Sequence, residues 1–406
     1  MRNRYLISTI DEICFPMHKM AFVSGPRQCG KTTLAKIMLK KRGKGIYNNW
    51  DDVEFRRIWT KNPSSIIPKK SKHAPIVIFD EIHKAKLWKR TLKGIYDTLE
   101  QPLDIIVTGS ARLNVYKKGS DSLLGRYYHF RLHPFSLAEI EKNPVINPDN
   151  FLDQVFSKSL NSKKTTQKNL DALMRFGGFP EPFLAQNERH ARLWQKGRVE
   201  KVIREDLRDL SRIPELSQIE MLTSLIPEKV GSFLSRATLR ETLEVSFDTI
   251  RRWLTYLKEL YYIFELKPYQ KSISRTLKKE GKLYLWDYSE VKDISARFEN
   301  MVASHLLKFC HFWTDNGTGN YELFSLRSKD KAEIDFLICK DNKPWLPIEA
   351  KLNDANLSGN WKKFINQIPC NKGIQIVHKA NYRKLHKYGE KQILVASASD
   401  ILSYFV

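Results

Sequence analysis

Cysteine is scarce. The five in 406 residues, Cys14, Cys29, Cys310, Cys339 and Cys370, form no C-x-x-C pair, which argues against a zinc site and against a disulfide framework. No apolar run approaches the length of a membrane-spanning helix, so no span is expected. The first dozen residues carry Arg2, Arg4, Asp11 and Glu12 where a signal peptide would be apolar, and a cytoplasmic location is expected. Acidic residues fall short as well. The 45 Asp and Glu stand against 69 Lys and Arg, a formal net charge of +24 that is spread along the chain. Such a field favours polyanions, nucleic acid ahead of an anionic membrane surface. What is present, 42% hydrophobic and 28% charged residues, is the composition of a folded soluble protein. A chain of this length exceeds one compact core and divides into several domains.

The stretch around which the rest is organised is Gly25-Pro26-Arg27-Gln28-Cys29-Gly30-Lys31-Thr32-Thr33. It follows the apolar run Ala21-Phe22-Val23 and opens into Leu34-Ala35-Lys36-Ile37-Met38-Leu39, which has helical spacing. Strand, glycine-rich loop and helix with the full G-x-x-x-x-G-K-S/T pattern make a phosphate cradle. Its backbone N–H groups and the helix N-terminus face phosphate oxygens, Lys31 reaches the β- and γ-phosphates, and Thr32 holds Mg²⁺. ATP with Mg²⁺ is the expected ligand.

Further on, Ile76-Val77-Ile78-Phe79 reads as a strand buried on both faces, ending in Asp80-Glu81. Asp80 is expected in the Mg²⁺ shell and Glu81 as the residue that polarises the attacking water. A third buried strand, Ile105-Ile106-Val107, ends in Thr108-Gly109-Ser110, where Ser110 or Thr108 is placed to sense the γ-phosphate. Arg112 and Arg126 are candidate arginine fingers, Arg126 completing the site of a neighbouring subunit.

These motifs resemble AAA+-type ATPases. The combination G-P-R-Q-x-G-K-T-T, I-F-D-E-I, T-G-S and L-x-G-R followed by P-F-S is similar to one bacterial and archaeal group with a C-terminal region of nuclease-like fold. Gly177-Gly178-Phe179-Pro180-Glu181-Pro182 resembles that group's G-G-F/Y-P-E signature.

Between these motifs and the C-terminal third, residues 141–170 hold Pro144, Pro148 and several Asn, and read as a flexible linker with a short helix in it. From Leu193 to Leu210 charges alternate in sign, as on a solvated helix face. Residues 216–265 suggest three short helices, the third capped by Ser246 and apolar at Ile250, Leu254, Leu257 and Leu260. An apolar hairpin follows, Tyr261 to Phe264 with Lys282 to Trp286. This is the pattern of a winged helix-turn-helix, with Thr249, Arg251 and Arg252 on or near its exposed face.

In the last third, a helix through Glu299 and Leu306 precedes the strand Glu333 to Ile338 and the strand Trp345 to Lys351. Glu349 and Lys351 share one face, and the hairpin register can bring Asp335 beside them. Two carboxylates on a divalent metal with a lysine beside its bound water is a phosphodiester-hydrolysing arrangement. With Glu299 upstream, the D-x₁₃-E-x-K spacing resembles the PD-(D/E)xK nuclease superfamily, without that motif's proline. The resemblance implies a site of Asp335, Glu349 and Lys351 with Mg²⁺, or Mn²⁺, on Glu299, Asp335 and Glu349. His305, His311 and His378 read as ordinary histidines, and Phe309, Phe312 and Trp313 as core.

The expected architecture is therefore α/β: a P-loop parallel-sheet ATPase core (1–140), a helical lid and linker (141–210), a winged helix (211–270) and an α/β domain of restriction-endonuclease-like fold (271–406). The expected function is ATP binding and hydrolysis coupled to action on DNA, by metal-dependent cleavage or as a noncleaving switch. Homo-oligomerisation and a protein partner are left open, and no membrane is expected.

Overall fold

Three apolar strands with no polar alternation have to be covered on both faces, and they set the first part of the fold. A computed structural model of the chain describes residues 4–68, 74–109, 123–157, 164–207, 216–270, 280–327, 332–365 and 367–406. Its backbone divides after Pro134 into two units, residues 1–134 and 135–406.

In the first unit β1 (Met20–Ser24), β2 (Gly45–Asn49), β3 (Ile76–Asp80), β4 (Asp104–Gly109) and β5 (Tyr127–Arg131) form one sheet in the order β2-β3-β4-β1-β5. Every pairing is parallel. β1, β3 and β4 are buried along their whole length. Phe22, Phe79 and Val107 pack one face with Phe55 and Trp59 of helix Val53–Lys61 and Leu92 of helix Trp88–Asp97. A parallel sheet covered on both faces presents its ligand edge at the carboxyl ends of the strands. The phosphate-loop segment leaves β1 at that edge and enters helix α1 (Lys31–Arg42).

The second unit carries a six-stranded mixed sheet, order β12-β13-β11-β10-β9-β8, built from β8 (Tyr321–Arg327), β9 (Glu333–Lys340), β10 (Lys343–Lys351), β11 (Lys372–Val377), β12 (Arg383–Tyr388) and β13 (Lys391–Ser397). A long helix, Ile294–Asp315, is capped by the Asp293 side chain, which accepts the Ala296 N–H. It buries Phe298, Met301, Leu306, Phe309, Phe312 and Trp313, so the aromatic cluster is core. His305 is core as well. Its Nε2 accepts the Leu137 N–H and its Nδ1 faces the Met301 carbonyl, the pattern of a neutral ring, and burial drives its pKa down to about 4.

Upstream, the helices Leu216–Leu225, Arg236–Leu243 and Phe247–Glu259 precede a two-stranded antiparallel hairpin, β6 (Ile263–Leu266) with β7 (Lys282–Leu285). The last of these helices begins at Ser246, whose hydroxyl accepts the Thr249 N–H at 3.1 Å. Ile250, Trp253, Leu254 and Leu257 face inward, while Thr249 is half-buried and Arg251 and Arg252 are exposed.

Two local readings change. The described residues of 141–170, 141–157 and 164–170, are more ordered than a linker. Helices Pro148–Ser157 and Lys164–Phe176 lie there, and Phe151 is buried against Phe309 and Phe405, an apolar anchor that the Pro and Asn content obscures. Arg198, expected on a solvated face, is buried. It lies 4.4 Å from the Phe179 ring centre and pairs with Glu290 at 3.2 Å. That pairing explains the G-G-F-P-E-P segment. Gly177 ends a helix at φ +76°, and a Cβ there would sit 2.7 Å from the buried Asp287 carboxylate. Phe179 supplies the surface for Arg198, and Pro180 starts the next helix.

Gly177→Ala therefore combines a left-handed backbone with a clash. Thermal unfolding should show a loss of about 2 kcal/mol, a drop in Tm of several degrees. An unchanged Tm would contradict this account of the motif.

Candidate functional site

The phosphate loop is shaped by its first glycine. Gly25 has φ +154°, and a Cβ there would lie 2.3 Å from the Leu132 carbonyl oxygen. No larger residue fits so close to the neighbouring backbone. Gly30, at φ +98°, starts α1 without a side-chain cap, as suits a helix terminus whose amides face an anion. The buried Lys31 ammonium donates to the Gly25 and Pro26 carbonyls at 3.0 and 2.7 Å. Cys29 is buried with its Sγ near the Leu132 carbonyl, and the Arg4 guanidinium donates to the Cys29 carbonyl.

At the end of β3 the Asp80 carboxylate is buried and fully engaged. Oδ2 accepts the hydroxyls of Thr32 and Tyr47, each at 2.7 Å, and Oδ1 accepts the Thr108 hydroxyl. Thr32 and Asp80 thus stand together at the head of α1. Their all-oxygen donor set fits Mg²⁺, which in such a site neutralises phosphate charge. Glu81 follows in the left-handed region at φ +58°. Burial raises its pKa, opposed by Lys31 and Lys84. A carboxylate with a raised pKa beside the loop lysine is suited to accept a proton from water.

Thr108 was one of two polar residues expected at the end of β4. The other, Ser110, and the candidate finger Arg112 lie outside the described residues. Tyr47 was not anticipated. Its strand, β2, has no motif of its own, and only the parallel register beside β3 brings its hydroxyl to Asp80. Arg126 forms a two-point pair with Asp97 of its own unit, Nε to Oδ1 at 2.6 Å and Nη2 to Oδ2 at 3.0 Å.

The second constellation lies in the other unit. β9 and β10 pair antiparallel, with Phe336 opposite Ile348, so Asp335 and Glu349 come at the next step of the ladder. The Ala350 N–H donates to Asp335 Oδ2 at 3.0 Å, and Lys351 pairs with Glu349 Oε1 at 3.0 Å. Glu349 is buried, which raises its pKa. Its Oε2 has no well-formed hydrogen bond, the Ser358 side chain giving only weak help.

Glu299, however, meets a group that the sequence did not flag. Lys282 of β7 places its ammonium 3.3 Å from each of Glu299 Oε1, Glu333 Oε2 and Asp335 Oδ1. The Tyr284 hydroxyl donates to Glu299 Oε1 at 2.7 Å, and Arg327 holds the other side of Glu333 at 3.2 Å. Burial opposes the charge of Lys282, but the three carboxylates outweigh it and raise its pKa. Glu299 is driven the other way, up to about 7, by burial and by Asp335. One ammonium shared among three carboxylates leaves Glu299, desolvated and beside Asp335, easily protonated. Among the described residues no group of three His, Cys, Asp or Glu side chains is arranged to hold a metal ion. The expected trio of Glu299, Asp335 and Glu349 does not fit a divalent cation as it stands: the Lys282 ammonium already sits against Glu299 and Asp335, and Glu349 is paired with Lys351.

The sheet order, the glycine loop and the Thr32–Asp80 pair define a P-loop nucleotide-binding domain. Residues 17–141 match the AAA domain family. Residues 167–291 and 295–397 match two domains of unknown function, DUF8612 and DUF4143. An uncharacterized protein of Methanocaldococcus jannaschii is 24% identical over 371 residues, covering 87% of this chain and 79% of its own. An uncharacterized protein of Mycobacterium tuberculosis is 23% identical over 269 residues, covering 66% of this chain, which spans about half (54%) of that relative. A Walker-type ATPase of Pyrococcus abyssi overlaps 73% of this chain and 96% of its own at a TM-score of 0.44 and 16% identity. Among the described residues no helix is long and apolar enough to cross a membrane.

The protonation of Glu299 has a signed consequence. A carboxyl raised from 4.5 to about 7 favours the folded state while protonated, and that contribution is lost as pH rises through this window. Between pH 5 and pH 8, Glu299→Gln should therefore gain in Tm relative to the unsubstituted chain. A Tm difference that is flat with pH would contradict the assignment.

Proposed function

We propose that the protein is an ATP-hydrolysing switch that acts on DNA. The observation that carries the first half is the Thr32–Asp80 contact at 2.7 Å beside the Lys31-bearing loop. Lys31 binds the phosphates, Thr32 and Asp80 hold Mg²⁺, and Glu81 accepts the proton of the attacking water. The resting contacts of Lys31 to two loop carbonyls support a cradle already close to its binding shape.

The second half rests on residues 216–266 and 280–286, read as a winged helix. The turn Glu244-Val245-Ser246, with Glu244 at φ +52°, joins two helices tightly, and the second presents Arg251 and Arg252 outward with Thr249 half-buried beside them. A basic, hydroxyl-bearing helix surface in a chain of formal charge +24 suits a phosphate backbone. Arg126, held by Asp97, is the proposed finger for a neighbouring copy, and its engagement requires that pair to open. Cleavage at Asp335, Glu349 and Lys351 is the part of the reading that Lys282 speaks against, so the proposed action on DNA is binding. If instead the helical module holds a protein, DNA binding will be weak and indifferent to sequence and shape.

Three variants separate these steps. Lys31→Ala should abolish ATP binding in a fluorescent-nucleotide assay. Glu81→Gln should keep binding and lower kcat by about a hundredfold or more. The double variant Arg251→Ala, Arg252→Ala should weaken DNA binding and reduce the log–log salt slope by about one per arginine in contact. An unchanged affinity and slope would remove DNA from the proposal while leaving the ATPase intact.

A further inference from the structure

A lysine buried within a strand is costly unless its charge is matched, so Lys282 calls for a reason. It is 5% exposed, and its ammonium sits equidistant, at 3.3 Å, from three carboxylates contributed by two elements, helix Ile294–Asp315 and β9. The surroundings hold that arrangement in place. Tyr284, two residues along the same face of β7, fixes Glu299 through its hydroxyl. The Ala350 N–H holds Asp335 Oδ2, leaving Oδ1 for Lys282. Arg327 does the same for Glu333, whose Oε1 it takes while Oε2 faces the ammonium.

We propose that the Lys282 ammonium is the resident cation of this cluster, seated where a divalent metal would otherwise bridge Glu299 and Asp335, with a metal site latent beneath it. This inference rests on the C-terminal cluster alone and stands whether or not the chain holds DNA. Mg²⁺ binds carboxylate oxygens at about 2.0–2.1 Å and cannot share their convergence point with an ammonium. The carboxylates cannot turn away singly, since each has its second partner on the protein. A second observation points to unused ligand capacity. Glu349, 1% exposed and close enough for the Asp335 charge to act on it, keeps Oε2 without a well-formed hydrogen bond. Removing the ammonium leaves Glu299, Glu333 and Asp335 as hard oxygen donors around the vacated position, the chemistry that selects Mg²⁺ or Mn²⁺. In the unsubstituted chain the domain is then a nuclease-like scaffold without its metal, neutralised from within by its own hairpin.

The test is Mn²⁺ binding to the full-length, nucleotide-free chain, followed by electron paramagnetic resonance. The unsubstituted chain and Asp335→Asn should bind Mn²⁺ identically. Lys282→Met should gain one Mn²⁺ per chain, at least tenfold tighter than any the unsubstituted chain holds, and adding Asp335→Asn should abolish the gain. A Mn²⁺ ion held by the unsubstituted chain and lost in Asp335→Asn would overturn the proposal, and this comparison stands even if Lys282→Met does not fold. A folded Lys282→Met that gains no Mn²⁺, or gains one indifferent to Asp335→Asn, would overturn it too. So would Mg²⁺-dependent DNA cleavage by the unsubstituted chain that Asp335→Asn removes.

Discussion

A carboxylate withdrawn from water has to be met by donors, and the arrangement of the ATPase unit's ligand edge follows from how Asp80 is met. Its oxygens accept hydroxyls from the head of the phosphate-loop helix, from β2 and from β4. Those three elements are separated in sequence and are brought to one place only by the parallel sheet. Losing one donor would leave a buried charge short of a partner, at a cost of about 1–3 kcal/mol. The same bonds fix Thr32 relative to the loop, so the stability of the sheet edge and the geometry of the nucleotide site are one property.

The second unit answers the same demand differently. Hydroxyl donors are neutral, and they leave Asp80 with its negative charge available to a cation. The cluster of Glu299, Glu333 and Asp335 is met by ammonium, guanidinium and hydroxyl groups, which already consume part of that charge. Two carboxylate sites in one chain are thus distinguished less by their acidic residues than by the charge of what faces them. Counting acids alone treats the two as equivalent.

That contrast also marks what could be read from the sequence. Gly25 to Thr33 is legible because a phosphate loop is a local object, with every residue it needs contiguous. Asp80 and Glu81 are legible because they end an unbroken apolar run. The hairpin of β6 and β7 and the cap at Ser246 follow from two short apolar runs and from a single hydroxyl. Tyr47 and Lys282 are not legible. Each sits in a short strand with no motif, and its role arises from register and packing against residues far away in the chain. Arg198 fails for a related reason: in a helix of alternating charges nothing local marks the one arginine whose face is covered by Phe179. Phe151 shows the reverse case, a single aromatic that converts a polar, proline-bearing stretch into part of the core.

The position of Lys282 also bears on where this chain can be divided. The match to the C-terminal domain of unknown function begins at residue 295, after the strand that carries this lysine, while Glu299, Glu333 and Asp335 all lie within it. A fragment cut at that boundary parts three acids from their counter-ion. If Lys282 is the resident cation, divalent-ion affinity that such a fragment gained would trace to the missing ammonium. The domain that sequence families delimit and the domain that is electrostatically complete are here different lengths of chain.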